Sequence, residues 1–264
     1  MTSELNAAAK SVRLSILQLA AQAGAAGKRE HIAPALSMVE ILAVLFTKTM
    51  RPQDVFILSK GHGGMAYYAA LKEAGFINDK QLETFECDGT DFLGHPSKNI
   101  ENNIIFSSGS LGMGLSYACG LAMAAKRQRE DKKIYLLLGN GELNEGSNWE
   151  SVMFAKHQKL GNIVAVVDNN SMQSDGASAE IMDVNLKDAF AAFGWNTHAC
   201  DGHSTAELAA AFEDTKDDMP TVIVANTVKG KGVSFMENDN SWHHNRLDDE
   251  HYQNALQEVN GDGI

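Results

Sequence analysis

The sequence predicts an α/β fold, a doubly wound and mostly parallel sheet with helices on both faces. Three segments are apolar throughout, as strands buried on both faces of a parallel sheet are: IYLLL at 134–138, IVAVV at 163–167 and TVIVA at 221–225. Segments with helical periodicity separate them, and this alternation is typical of doubly wound sheets. Ligands of such sheets bind beyond the carboxyl ends of the strands, so a site is expected in the loops that follow these segments.

The other elements are predicted in chain order. Apolar residues at helical spacing predict an amphipathic helix over 3–23, which Gly24 to Gly27 ends. A second helix is predicted over 37–47, with Ser37 as its N-cap and Glu40 completing a capping box. The remaining predictions are strand 55–58, helix 65–74, helix 111–129, strand 134–138, helix 148–160, strand 163–167, helix 186–193, strand 195–199, helix 205–212, strand 221–225 and helix 248–257. Residues 230–247 are expected to form a long structured loop, a kind that often carries function.

Length and composition narrow the class of protein. The 264 residues are enough for one large α/β domain over 1–264, and the net charge of −12 argues against nucleic acid or anionic membranes as partners. The three cysteines lack metal-type spacing, which fits a reduced, cytoplasmic setting. The first ten residues lack a signal-peptide pattern, and no apolar run approaches the roughly 20 residues of a membrane span.

Two strand ends carry residues suited to a phosphate and a metal. Gly139, Asn140 and Gly141 follow one strand, and glycines there allow close approach of the backbone to a phosphate. Asn170 follows the next strand, and its side-chain oxygen and the carbonyl of Met172 could bind a hard cation such as Mg²⁺. A Gly-x-Gly turn alone is more often a plain tight turn, but its pairing with Asn170 makes the pattern more specific.

Seven motifs in order resemble the N-terminal, diphosphate-binding part of transketolases, and in particular the short subunit of split transketolases. They are EHIAPALS, LSKGH, LGHP, SSGSLGMGLS, the segment from GNGELNEG to VVDNNSMQ, VKGKGVSFMEN and WHH. The match covers nearly the whole chain. It implies a thiamine diphosphate-binding fold, with thiamine diphosphate and Mg²⁺ as cofactors. The activity it implies is transfer of a two-carbon ketol unit from a ketose to an aldehyde.

The resemblance also implies a role for each matching residue. The implied metal ligands are Asn140, Asn170 and the Met172 carbonyl. The implied cofactor-binding residues are Gly109, Leu111, Gly139, Gly141, Glu145, Glu150, Asn170, His62 and His243, with Glu145 and Glu150 in a network at the subunit interface. The implied catalytic residues are His62 and His243, near the diphosphate and the reacting carbon, and His31 and His95, which bind sugar hydroxyls.

The residue types allow these roles without requiring them. Histidine can donate to hydroxyls or diphosphate and exchange protons near neutral pH, yet a single loop histidine is more often structural. His244 stands where the family often has Gly and could enter the pocket. Lys229 and Lys231 could face anions or belong to a flexible surface loop. The other four histidines are expected to be structural or on the surface: His157, His198, His203 and His251.

Two departures from the family pattern affect these expectations. The family's metal-binding Asp is Asn140 here, which removes one negative charge from the cation's shell; we expect weakened but retained metal and cofactor binding. The usual Gly-His-x-Gly-Gly has become Glu-His-Ile-Ala-Pro around His31.

The family also uses a glutamate on a pyrimidine-binding domain, for which this chain has no residues left. We therefore expect that domain and the C-terminal domain on a partner subunit, in an α₂β₂ heterotetramer that acts on small sugars or sugar phosphates. The alternatives are another thiamine diphosphate carboligation, with a pyruvate-like donor or a specialised acceptor, or a non-catalytic subunit that has lost the metal. A nicotinamide dehydrogenase lacks support, because Gly-x-Gly-x-x-Gly does not follow the first strand.

Overall fold

The computed structural model describes residues 2–261, and over that range the sheet has five strands, all parallel, in the order β1-β2-β3-β5-β4. The strands are β1 (Val55–Leu58), β2 (Ile134–Gly139), β3 (Ile163–Asn169), β4 (Asn196–Asp201) and β5 (Thr221–Asn226). Each lies within about two residues of its predicted bounds. The predicted fold class is confirmed, and the sheet is parallel throughout.

The α-helices of the same range are α1 (Thr2–Ala25), α2 (Ile32–Leu36), α3 (Val39–Val44), α4 (Gly64–Glu73), α5 (Asp79–Leu82), α6 (Gly114–Gln128), α7 (Gly146–His157), α8 (Ser178–Ile181), α9 (Leu186–Ala192), α10 (Thr205–Glu213) and α11 (Asp249–Asn260). Short turns of 3₁₀ helix lie at Gly61–Gly63, Gly141–Asn144 and Asn240–Trp242, and a π turn follows α3 at Leu45–Thr49. Apart from the turn at 240–242, residues 230–247 form the predicted loop. None of the described helices is long and apolar enough to cross a membrane.

Helices cover both faces of the sheet, because successive strand side chains enter two different cores. Phe56, Leu137 and Val166 pack in one core with α1, α3, α4, α10 and α11. Ile57 and Leu136 lie in the other, with α6, α7 and α9. This alternation explains why the segments 134–138 and 163–167 of the central strands carry side chains suited to burial on both faces.

A helix lies within the predicted range 37–47, but its predicted start at Ser37 and its capping box are wrong. Helix α2 ends before Ser37, and α3 begins after Met38. The Ser37 hydroxyl donates to the Pro34 carbonyl at 3.0 Å and to the Asp168 carboxylate at 2.6 Å. Glu40 forms a buried ion pair with Arg13 instead of capping the helix. Tertiary partners distant in the sequence thus replace the local cap.

Helix α6 begins at Gly114, three residues later than predicted, because the preceding loop cannot be helical. Gly109 and Gly112 have φ angles of +147° and +81°. At Gly112 a Cβ atom would also lie 2.6 Å from the Ser147 hydroxyl oxygen. The loop at 109–113 therefore packs closely on the start of α7 and forms one wall of the region described next.

Candidate functional site

A cleft with a volume of about 160 Å³ opens at the carboxyl ends of β1, β2 and β3. The strand register pairs Gly139 with Asp168 at this edge, so the two predicted loops meet there. Eight of the residues predicted from the sequence line the cleft: His62, Leu111, Gly139, Asn140, Gly141, Asn170, Met172 and His243.

A buried ion pair between Lys60 and Asp168 lies beneath the cleft. The sequence alone did not predict it. Both side chains are at most 1% exposed. The carboxylate also accepts hydrogen bonds from Ser37, Thr227 and the Asn170 amide. Burial opposes ionisation of Asp168, but the Lys60 ammonium and the hydrogen bonds outweigh it and hold the pKa below its ordinary value. The pair therefore fixes the carboxyl end of β1 against that of β3.

Glu142 is a second site residue that the sequence did not reveal. Its buried carboxylate accepts hydrogen bonds from the Gly112 amide at 2.9 Å, the Gly139 amide at 3.2 Å and the Ser59 hydroxyl. Burial raises the pKa of this carboxyl, although the hydrogen bonds work in the opposite direction. Glu142 thereby joins three loops of the cleft. The only signal for it was a carboxylate directly after a Gly-x-Gly turn.

The three candidate metal ligands line the same cleft with neutral oxygens. Asn170 Oδ1 accepts from the Met172 amide at 3.1 Å, which holds the turn that carries the Met172 carbonyl. The Asn140 amide nitrogen donates to Ser178 Oγ at 2.8 Å. Among the described residues, no group of three or more His, Cys, Asp or Glu could hold a metal. A cation here would therefore take its compensating charge from a bound anion.

The cleft is suited to such an anion. His243 Nδ1 is buried and has no hydrogen-bond partner in the described part of the chain. Lys60 and Lys229 line the same cleft. An unpaired ring nitrogen, the Lys229 ammonium and a glycine turn together fit a diphosphate with a hard cation.

Lys229 is buried, so the flexible-loop alternative for it is wrong. Its side chain is 1% exposed, and its ammonium donates to the Gln173 carbonyl at 3.0 Å and to Asn240 Oδ1 at 2.6 Å. Burial, followed by the nearby Lys60, lowers its pKa to about 8. Lys231 instead pairs with Glu237 at 3.3 Å.

Five histidines cluster beside the cleft, around His31. The ring of His31 lies 5.7 Å from that of His62, 5.3 Å from His95, 5.2 Å from His243 and 4.6 Å from His244, measured between ring centres. The four predicted catalytic histidines thus come together. His244 also belongs to this cluster, so the histidine whose place the sequence left open lies beside the cleft.

Burial and nearby positive charge lower the pKa values of His31, His62, His95 and His243. Burial, then the neighbouring histidines, lowers the pKa of His31 to about 3. Burial, then Lys229 and Lys60, lowers that of His243 to about 4. The pKa of His62 falls well below its usual value, and that of His95 is also lowered, in both cases chiefly by burial. Neutral imidazoles can both donate to and accept from hydroxyl groups.

The three other predicted residues lie outside the cleft lining. Gly109 is exposed in the loop before α6, and a Cβ atom there would come within 3.9 Å of the His95 ring. Glu145 and Glu150 are exposed at the start of α7. Their predicted place in a network between subunits stays a prediction. Among the remaining histidines, His203 is structural and pairs with Glu40 at 2.9 Å.

Glu30 lies next to His31 and occupies the position of the family's glycine. It is 6% exposed, and its carboxylate accepts no hydrogen bond from the described residues. Burial, then the nearby Glu86 carboxylate, raises its pKa to about 7. As the pH rises, the Glu30 carboxyl loses its proton in the unfolded chain before it does so in the folded chain. The free energy of unfolding therefore falls as the pH rises from about 4.3 towards 7.

The variant Glu30→Gln is expected to unfold at a higher temperature than the parent chain at about pH 8 and at the same temperature at about pH 4. The amide removes the cost of a buried charge but resembles the protonated acid. Thermal unfolding across this pH range measures the difference. Glu101→Gln, at an exposed position, is the control and is expected to show no such pH dependence. An equal effect of Glu30→Gln at both pH values would contradict the explanation.

The fold is a parallel α/β sheet, and the cleft at the carboxyl ends of its central strands is suited to an anion. The family described as "Transketolase, thiamine diphosphate binding domain" matches residues 6–261. The chain therefore belongs to this family, as the sequence motifs predicted.

Two similar proteins are subunits of split enzymes. The chain is 37% identical to a subunit of the apulose-4-phosphate transketolase of Actinobacillus succinogenes, over 97% of this chain and 96% of that protein. It is also 37% identical to a subunit of the 6-deoxy-6-sulfo-D-fructose transketolase of a Clostridium species, over 88% and 89% of the two. The prediction of a subunit of a transketolase-type transferase is confirmed.

A solved structure, the transketolase of Leishmania mexicana, has the same fold with a TM-score of 0.89 and 23% sequence identity. The match covers 99% of this chain and 42% of that one, so this chain spans about two fifths of the length of that transketolase.

Proposed function

We propose that this chain is the diphosphate-binding subunit of a two-subunit enzyme that transfers a two-carbon ketol unit from a ketose to an aldehyde. The observation that carries the proposal is the convergence of the neutral oxygens, Lys60, Lys229 and the unpaired His243 nitrogen on one cleft. The names of the two subunit relatives support a split enzyme. Those names also specify sugars with a phosphate or a sulfo group, and sugars or sugar phosphates are the proposed substrate class here.

The residues present fit the cofactor, and each has a task. Asn140, Asn170 and the Met172 carbonyl would hold Mg²⁺, while Lys229 and His243 would bind the diphosphate. The backbone of Gly139 and Gly141 would lie against the phosphates, with Gly109 and Leu111 beside the ring system. Thiamine diphosphate, when bound, supplies the nucleophilic carbon that adds to a ketose carbonyl.

The histidines would act on the sugar. His31 and His95 are neutral, so each can donate one hydrogen bond to a substrate hydroxyl and accept another. His62 and His243 lie nearer the diphosphate end, where they would exchange protons with substrate oxygens. Their lowered pKa values keep the rings unprotonated at neutral pH, so that each can accept a hydrogen bond from a substrate hydroxyl.

The size of the cleft supports a partner. Its volume of about 160 Å³ is below the roughly 300–1,000 Å³ usual for small-molecule sites. Further walls, including the pyrimidine-binding domain with its glutamate and the C-terminal domain, would come from a second subunit. We propose an α₂β₂ heterotetramer in which exposed Glu145 and Glu150 face a neighbouring subunit.

The test compares the full-length chain alone with the chain co-purified with its second subunit, each with thiamine diphosphate and Mg²⁺. We expect ketol transfer only from the complex, because the second subunit would supply the remaining walls of the site. Transfer by the chain alone would contradict the partner. Ligation from a pyruvate-like donor, without ketose turnover, would favour the other carboligation. A complex that binds no cofactor would indicate a non-catalytic subunit.

A further inference from the structure

We propose that His203 is a positioning residue that sets the place of Lys229 in the cleft through the backbone N–H of Val228. The proposal rests on the proposed function, in which Lys229 binds the diphosphate. His203 is not among the residues that line the cleft, and it lies in the turn that follows β4. Its ring nevertheless contacts the segment that leads from β5 to Lys229, at the edge of the sheet where the cleft opens.

The partners of His203 fix the direction of both of its hydrogen bonds. The Val228 N–H can only donate, so His203 Nε2, at 2.8 Å, accepts from it and carries no proton. The proton of the ring is therefore on Nδ1, which donates to Glu40 Oε2 at 2.9 Å. Burial opposes ionisation of Glu40, but its bonds with His203 and Arg13 outweigh it and hold its pKa below the ordinary value. The imidazole thus links Glu40 to Val228 in one protonation state.

The same carboxylate also holds the other side of the segment. Arg13 donates to Glu40 Oε1 through Nη2 and to the Lys231 carbonyl, at 3.1 Å, through Nε. Arg13 and Glu40 are 2% and 6% exposed, which limits competition from solvent for these bonds. Lys229 therefore lies between two backbone contacts, at positions 228 and 231, that both lead back to Glu40. His203 supplies the contact that is nearer to Lys229.

The ammonium of Lys229 has one N–H left for an anion. It carries three protons, and two of them go to the Gln173 carbonyl at 3.0 Å and to Asn240 Oδ1 at 2.6 Å. The direction of the third depends on the place of the Lys229 backbone, because the other two bonds hold the tip of the side chain. Val228 directly precedes this residue, and His203 holds it. Loss of the contact with Val228 should therefore misdirect the N–H that meets the diphosphate.

The test compares His203→Asn with His203→Gln in the assembled complex, each with and without Lys229→Met. Thiamine diphosphate is titrated calorimetrically at saturating Mg²⁺. Asparagine reaches only the place of Nδ1 and leaves the Val228 N–H without its acceptor, so we expect about 10–100-fold weaker binding, the loss of one hydrogen bond to a charged group. Glutamine can put its oxygen at the place of Nε2 and should keep most of the affinity. With Lys229→Met present, His203→Asn should have little further effect, because it acts through Lys229.

His198→Asn is the matched control. His198 is a half-buried histidine of β4, and its Nε2 lies 3.0 Å from both Asn196 Nδ2 and the Asp214 carbonyl oxygen, neither of which belongs to the cleft. We expect it to leave cofactor affinity unchanged. An equal loss from His203→Asn with and without Lys229→Met would overturn the positioning role while leaving the proposed function intact. A parent complex that binds no thiamine diphosphate would overturn both.

A second measurement needs no cofactor. In the full-length chain, NMR should show a scalar coupling across the hydrogen bond, between the Val228 amide nitrogen and His203 Nε2. The resonance of the Val228 amide proton should move in His203→Asn, because its acceptor is lost, and should stay in place in His198→Asn. A parent chain without this coupling, or with a proton on His203 Nε2 at neutral pH, would overturn the inference even where the complex binds thiamine diphosphate.

Discussion

Replacing Lys60 by methionine is expected to lower the free energy of unfolding by about 3–5 kcal/mol, the usual cost of removing one partner of a buried ion pair. Lys60 and Asp168 are almost fully buried, and the variant leaves the Asp168 carboxylate without its compensating charge. Hydrogen bonds from Ser37, Thr227 and Asn170 remain, but they do not neutralise it. Equilibrium unfolding in urea at neutral pH measures the loss.

The same change should reverse the pH dependence that Asp168 gives to stability. In the parent chain its pKa is depressed, so its contribution is present above the unfolded pKa of about 3.9 and is lost as the pH falls through the folded pKa. Without Lys60, burial is the largest influence left and should raise that pKa. The variant would then lose stability as the pH rises above the unfolded pKa. The difference between parent and variant should therefore shrink as the pH is lowered, and a constant difference would contradict this account.

Lys229→Met provides a matched control for loss of a buried ammonium. Lys229 is as buried as Lys60 but donates to neutral acceptors, the Gln173 carbonyl and Asn240. Its loss leaves no uncompensated charge, so the destabilisation should be smaller and nearly independent of pH in the acid range. Adding Asp168→Asn to Lys60→Met should recover part of the lost stability, because the remaining charge is then removed.

The sheet could be predicted because each strand is recognisable from its own short run of residues, without knowledge of its neighbours. Val55–Leu58 is found at its predicted bounds, since a short apolar run between polar turns has few other places in a globular protein. The break between α2 and α3 could not be predicted in the same way. It depends on the contact of Ser37 with Asp168, which lies 131 residues further along the chain. A local capping pattern carries no information about such a partner.

The site residues likewise fall into those that the local sequence predicts and those that depend on tertiary contacts. Gly139 to Gly141 and Asn170 could be placed together, because parallel strands bring their carboxyl ends to one edge. The histidine cluster was found only through the resemblance, since its members are spread from residue 31 to residue 244. Glu142 and Lys60 were missed because their importance arises from burial, and burial of a charged residue is decided by tertiary partners. Lys229 was ambiguous for the same reason.

Replacing Asn140 by aspartate is expected to strengthen Mg²⁺ binding in the assembled protein by about tenfold or more, which corresponds to roughly 1.4 kcal/mol. The three candidate ligands are neutral, so a carboxylate adds the first protein charge to the shell of the cation. Calorimetric titration with Mg²⁺ in the presence of thiamine diphosphate measures the change. An unchanged affinity would show that the charge of residue 140 does not limit metal binding.

Asn170→Asp is the control that separates position from charge. The Asn170 amide donates to the Asp168 carboxylate at 3.2 Å, so a carboxylate at residue 170 would meet a second, buried carboxylate. Like charges at this distance oppose each other, and the variant should be less stable than the parent without gaining comparable affinity. Asn140 instead faces the neutral Ser178 hydroxyl, which can turn its proton towards a new carboxylate. If both variants gained affinity equally, added charge anywhere in the cleft would suffice, and the particular geometry at Asn140 would not matter.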